Sequence, residues 1–158
     1  MILNNKTMLT FHTLSDHKEI DLLDYVKNIL ATKKDVSIYV GTDSQNSRNQ
    51  SMFATVLVFH YGNHGGHVLY AKEKLPKYKT TSERLWKEVV NSVDVALFLK
   101  ETGNVHVKYI DLDLNPDPRY QSNQILIAAT GWVASLGFES RVKSLGPYAS
   151  VMADVLCR

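Results

Sequence analysis

Cysteine is almost absent from this chain. Cys157 is the only one in 158 residues, so no internal disulfide can form, and a reducing compartment is expected. Glycine and proline are sparse too, at 8 and 4 residues, and no glycine-rich phosphate loop, repeat or low-complexity stretch occurs. No window approaches the roughly 18 consecutive apolar residues of a membrane span. The start, Met1 to Thr7, lacks the basic and apolar regions of a secretory leader. Neither a Ser-His-Asp pattern nor a Cys/His zinc spacing is present. The net charge of +2 lets neither sign dominate, so charge alone argues neither for nor against a nucleic-acid partner. These absences point away from disulfide scaffolds, membrane spans and phosphate-loop nucleotide hydrolases. They leave a soluble, cytoplasmic protein with one domain over residues 1–158, in which 1–34 form a helical lead-in.

What is present is a regular alternation of elements. Ser15 or Asp16 is a candidate cap for a helix over 17–32, with Ile20, Leu23, Val26, Ile29 and Leu30 at helical spacing. Val36 to Val40 is rich in β-branched residues and reads as a buried strand. The run breaks at Gly41 and presents Thr42, Asp43, Ser44 and Gln45 at its end. Met52–Tyr61 and His67–Lys74 read as an antiparallel hairpin around Gly62–Gly66. Thr80-Thr-Ser-Glu83 has the form of a capping box, and the helix after it runs to about Lys100 and closes at Gly103. Val105–Leu114 reads as a strand, 122–136 as a helix, 138–143 as a short strand and Tyr148 onward as a last helix. The order implies an α/β fold. It is a five-stranded mixed sheet, an antiparallel hairpin plus parallel strands, with helices on both faces.

Several carboxylates fall where such a fold brings chain ends together. Asp43 ends the first strand. Glu83 and Glu88 lie five residues apart, about 140° around the helix, and do not share a face. Glu83 suits the capping box, while Glu88 shares the apolar stripe of Leu85 and Ser92 and is preferred for a site. Asp111 and Asp113 point to one face of their strand, and Asp113, nearer its end, is preferred as the neighbour of Asp43. Asp154 would add a fourth acid from the last helix. Carboxylate oxygens suit Mg²⁺ or Mn²⁺. Two such ions about 4 Å apart activate a water and stabilise a leaving oxygen in phosphodiester cleavage.

Five segments resemble the ribonuclease H-like superfamily, and more narrowly the YkuK-like family of predicted ribonuclease H-like nucleases. They are Tyr39–Gln45, Glu83–Val89, Asp111–Asn123, Leu136–Lys143 and Tyr148–Asp154. The resemblance implies a metal site of Asp43, Glu88, Asp113 and Asp154, with Asp111 as an extra ligand or a neighbour that tunes it. It implies two Mg²⁺ or Mn²⁺ ions and a nucleic-acid substrate, whether RNA, DNA or hybrid. Hydrolysis would leave a 3′-hydroxyl and a 5′-phosphate.

Other residues fit a supporting role. Lys72, Lys74, Lys77, Lys79, Arg84 and Lys87 form either a solvated face or a phosphate-contacting rim, with Tyr78 and Trp86 available to stack on bases. Arg119, Arg141 and Lys143 extend that rim, and Ser44 and Gln45 are candidate substrate contacts. His60, His64 and His67 suit an exposed hairpin tip better than a metal site. The alternative to a nuclease is a catalytically inactive domain of the same fold that binds nucleic acid or protein. A phosphotransferase of related topology would need a second domain and phosphate-binding glycine turns, which are missing.

Overall fold

The computed structural model describes residues 9–62, 65–115 and 117–142. Three long strands form its centre. β3 (Val36–Asn46) pairs antiparallel with β4 (Gln50–Tyr61) from Val36↔Tyr61 to Asn46↔Ser51. β4 pairs in turn with β5 (Gly66–Pro76), from Gln50↔Pro76 to His60↔Gly66. On the other side of β3 lie β6 (Tyr109–Leu112) and then β7 (Ser140–Val142), both parallel.

The described sheet has seven strands, not five. The two extra ones come from the lead-in: β1 (Phe11–Thr13) and β2 (Glu19–Ile20) form a small hairpin on the outer edge of β5. The order is β2-β1-β5-β4-β3-β6-β7. Ser15 and Asp16, expected to cap a helix, lie in the turn of this hairpin, where Thr13 Oγ1 donates to Asp16. Helix α1 therefore starts later, at Leu22–Thr32, and Asp21 caps it by accepting from the Asp24 amide at 3.0 Å. Ile20 fits the helical period but is spent on strand pairing.

Two other boundaries move. β3 does not break at Gly41; it continues through Asp43 to Asn46 because β4 supplies a partner for every one of those residues. β6 is only four residues long, although the apolar run begins at Val105. Val105 and Val107 are buried in the approach to the strand, where the Val105 amide donates to the Leu99 carbonyl.

Helix α2 (Thr81–Gly103) crosses from β5 to β6. Thr80 Oγ1 accepts from the Glu83 amide at 3.2 Å. At the other end Asn104 takes the left-handed conformation, with φ 51°. Gly103 lets α1 pack close: a Cβ there would lie 2.4 Å from Leu23 Cδ1, so the Leu23 side chain would have to shift. α3 (Ser122–Ser135) joins β6 to β7.

All three described helices bury their apolar faces in one core with Ile38, Val40, Leu57, Phe59, Leu69, Ile110 and Leu112 of the sheet. The opposite face carries Ala54 and Val56 with Val58, Val68 and Tyr70 packed against them. The helix expected from Tyr148, which would supply helices on both faces, lies outside the described residues. Leu57 is fully buried in the main core. Leu57→Ala should cost about 2–5 kcal/mol in urea unfolding, whereas Ile127→Ala, 69 % exposed, should stay within about 0.5 kcal/mol.

Candidate active site

Side chains alternate along β3, and this alternation divides the site. Thr42 and Ser44 point toward α2. Thr42 Oγ1 lies 3.0 Å from Thr55 Oγ1 and 2.8 Å from Ser92 Oγ, a buried hydroxyl chain that lets the helix sit close to the sheet. Four residues before Ser92, one helical turn back, α2 brings Glu88 over Ser44, and Ser44 Oγ donates to Glu88 Oε1. Arg84, another turn back, donates from Nη1 to the Ser44 carbonyl at 2.9 Å and to Ser44 Oγ at 2.6 Å. The same guanidinium lies 3.6 Å from Glu88.

Asp43 points to the other face of the sheet. The parallel register pairs Tyr39 with Tyr109 and Gly41 with Asp111. Two residues further along each chain come Asp43, still within β3, and Asp113, just past the end of β6. Asp43 and Asp113 are half-buried, while Glu88 is only 4 % exposed. Burial holds the Glu88 carboxyl well above the ordinary carboxylate range. The negative charges of Asp43 and Asp113 push the same way, and Ser44 and Arg84 partly offset them. Asp43 on β3 and Asp113 just past β6 thus both bear electrostatically on Glu88 of the crossover helix. Glu88, Asp111 and Asp113 line a small cleft together with Thr42. Among the described residues, no group of three or more His, Cys, Asp or Glu side chains forms a ready-made cation cage.

A ribonuclease H-like family profile matches residues 21–158. The chain belongs to the ribonuclease H-like family. The narrower YkuK-like assignment is consistent with the match. No curated protein and no solved structure matches the chain. Membership in the family points to a role on nucleic acid, as nuclease or binder. No described helix is long and apolar enough to cross a membrane.

Within this ribonuclease H-like frame the other site candidates separate. Asp111 is fully buried, and Arg141 on β7 grips both its oxygens, Nε to Oδ1 at 2.8 Å and Nη2 to Oδ2 at 3.0 Å. The Arg141 guanidinium also lies 4.7 Å from the Tyr39 ring centre and 5.1 Å from that of Tyr109, and these two rings stack. Arg141 therefore ties β7 to β6 in the sheet rather than standing on a surface rim. Gln45 is exposed at the end of β3. Lys87 is half-buried, 3.8 Å from Glu73. Arg119 is exposed and forked onto its neighbour Asp117. Lys143 and Asp154 lie outside the described residues. His67 faces the core side, with Nε2 2.8 Å from the Tyr25 hydroxyl, while His60 pairs with Gly66 and faces the other way. That geometry excludes joint metal binding by these two.

Arg84 is the residue whose part the sequence reading missed. Its four-residue spacing from Glu88 was the available signal, since such pairs meet on a helix surface. The charge on Arg84 was visible, but its grip on the β3 backbone depends on tertiary packing.

Raising the carboxyl's proton affinity in the fold has a defined pH consequence. Below the ordinary value of 4.5, Glu88 is protonated both folded and unfolded, and its burial costs little. As pH rises the unfolded chain loses this proton first, so folding weakens until the folded carboxyl also ionises. Glu88→Gln removes that dependence. In chelator, its stability relative to the unsubstituted protein should rise from pH about 4.5 toward neutrality. Urea unfolding across that range checks this, and a pH-independent difference would contradict it.

Proposed function

We propose that this ribonuclease H-like protein is a metal-dependent nuclease that hydrolyses phosphodiester bonds. The observation that carries the reading is a buried Glu88 on the crossover helix, with the charges of Asp43 and Asp113 close enough to act on it from β3 and from just past β6. Holding like charges near a buried carboxyl is unfavourable unless something positive joins them. The donors are all carboxylate oxygens, which fits Mg²⁺ or Mn²⁺ rather than softer ions. Asp43, Asp113 and Glu88 would hold the ions, with Asp154 as the fourth acid. Bound cations would supply an activated water and charge stabilisation at the leaving oxygen.

The protein's own groups do the positioning. Ser44 and Arg84 fix Glu88 at the helix–sheet junction. Asp111 already has both oxygens on Arg141, so its proposed part is to brace β6 beneath Asp113 rather than to ligate. Hydrolysis adds water across the P–O bond, with 3′-hydroxyl and 5′-phosphate ends as the expected products. Gln45, Lys87, Arg119 and Lys143 are the proposed substrate contacts, while the buried Ser44 hydroxyl, also expected to touch substrate, is committed to Glu88 and Arg84.

One observation favours the second reading, a domain that binds nucleic acid without cutting it. The described acids form no closed ligand set, and Glu88 is engaged by Ser44. Activity separates the two. With RNA, DNA and hybrid substrates in Mn²⁺, the unsubstituted protein should cut at least one class, and Asp43→Asn should lower the rate by at least about a hundredfold. Equal rates for both proteins on every substrate would favour the binding domain.

A further inference from the structure

Beside the acids, on the helix side of the sheet, lies a groove of about 570 Å³. We propose that it binds single-stranded nucleic acid and rejects duplex. This rests on the reading that the chain acts on nucleic acid, and it adds which form. The groove runs between the end of β5 and the first turns of α2, with Leu75, Pro76 and Val90 as an apolar floor. Its charge comes from Lys77 and Lys79 set against Glu83, with Lys87 shared with Glu73. Lys77 and Lys79 are exposed. That excess of positive charge suits a phosphate backbone.

Charge alone would take a duplex equally well. The aromatic side chains decide against it. Tyr78 is fixed in the groove wall: its amide donates to Ser51 Oγ at 3.0 Å, and its ring packs edge-on to Phe53. Trp86 is backed by Trp132 of α3, with ring centres 5.6 Å apart and planes 27° apart, yet stays 37 % exposed. Two held aromatic rings over an apolar floor offer stacking faces, which unpaired bases can use and paired bases cannot.

The position is right for delivery to the acids. Gln50 pairs with Pro76, and Asn46 with Ser51, so the groove opens at the same end of the sheet as Asp43. On α2, Glu83, Trp86, Lys87 and Val90 form one stripe, and Arg84 and Glu88 lie on a stripe about 130° around the helix. Lys87 and Glu88 are chain neighbours, so the groove borders the turn of α2 that carries Glu88.

The test is fluorescence anisotropy with the full chain in EDTA, where hydrolysis cannot contribute. The probes are a labelled single strand of about twelve nucleotides and the matching duplex. The single strand should bind at least about tenfold tighter and quench tryptophan fluorescence. Lys77→Glu with Lys79→Glu should weaken binding by about tenfold and flatten the salt dependence. Trp86→Leu should weaken it similarly with unchanged circular dichroism. Because the lysines are exposed, their double variant decides the matter even if Trp86→Leu unfolds. Equal affinity for duplex, or binding unaffected by the lysine pair, would overturn the groove assignment even if the protein proves to be a nuclease. Strand-selective binding by a protein that cuts nothing in Mn²⁺ would uphold the groove and remove the nuclease reading.

Discussion

The parallel pairing of β3 with β6 is the constraint on which the rest of this structure depends. One register sets two rows: Tyr39 stacks on Tyr109 and Gly41 lies beside Asp111. Because side chains alternate, Tyr39, Tyr109 and Asp111 share one face, and Asp43 follows on it, with Asp113 just past the end of β6. A slip of one residue would send Asp43 toward the helices and Thr42 away from them. Arg141 reinforces the register by bridging Asp111 and the two tyrosine rings, which links β7 to both strands. A buried ion pair of this kind does little for net stability, but losing either partner leaves a buried charge, so it penalises the wrong register.

Helix α2 completes the arrangement from the other face. Ser92 allows close approach through its bond to Thr42, and Glu88 one turn earlier reaches Ser44. Arg84 then pins the helix to the β3 backbone. Glu88 is thus placed by packing, and its proton affinity follows from burial and the charges of Asp43 and Asp113. The next stripe of the same helix, with Trp86 and Lys87, forms one wall of the groove. A single helix therefore serves both the acids and the proposed strand-binding surface.

Much of this was legible in the sequence. The long strands, the crossover helix and its Thr80 cap follow from β-branched runs, helical spacing and capping chemistry. Glu88 stood out as a carboxylate on an apolar stripe, and it is buried against β3. The lead-in was harder. Three-residue and two-residue strands carry too little periodicity to be recognised, and they are held by pairing, β2 on β1 and β1 on β5. The extension of β3 past Gly41 was hidden because polar residues there are held by an antiparallel partner, not by apolar burial. Asp113 was preferred over Asp111 only for lying nearer the strand's end. The physical reason that Asp111 is committed elsewhere is Arg141, far off in sequence.

Anomalous diffraction from crystals soaked in Mn²⁺ tests the central claim most directly. The account predicts manganese density bounded by Asp43, Asp113 and Glu88, with Asp111 still paired to Arg141. Density centred on Asp111 with Arg141 displaced, or no manganese at these acids at millimolar concentration, would contradict it.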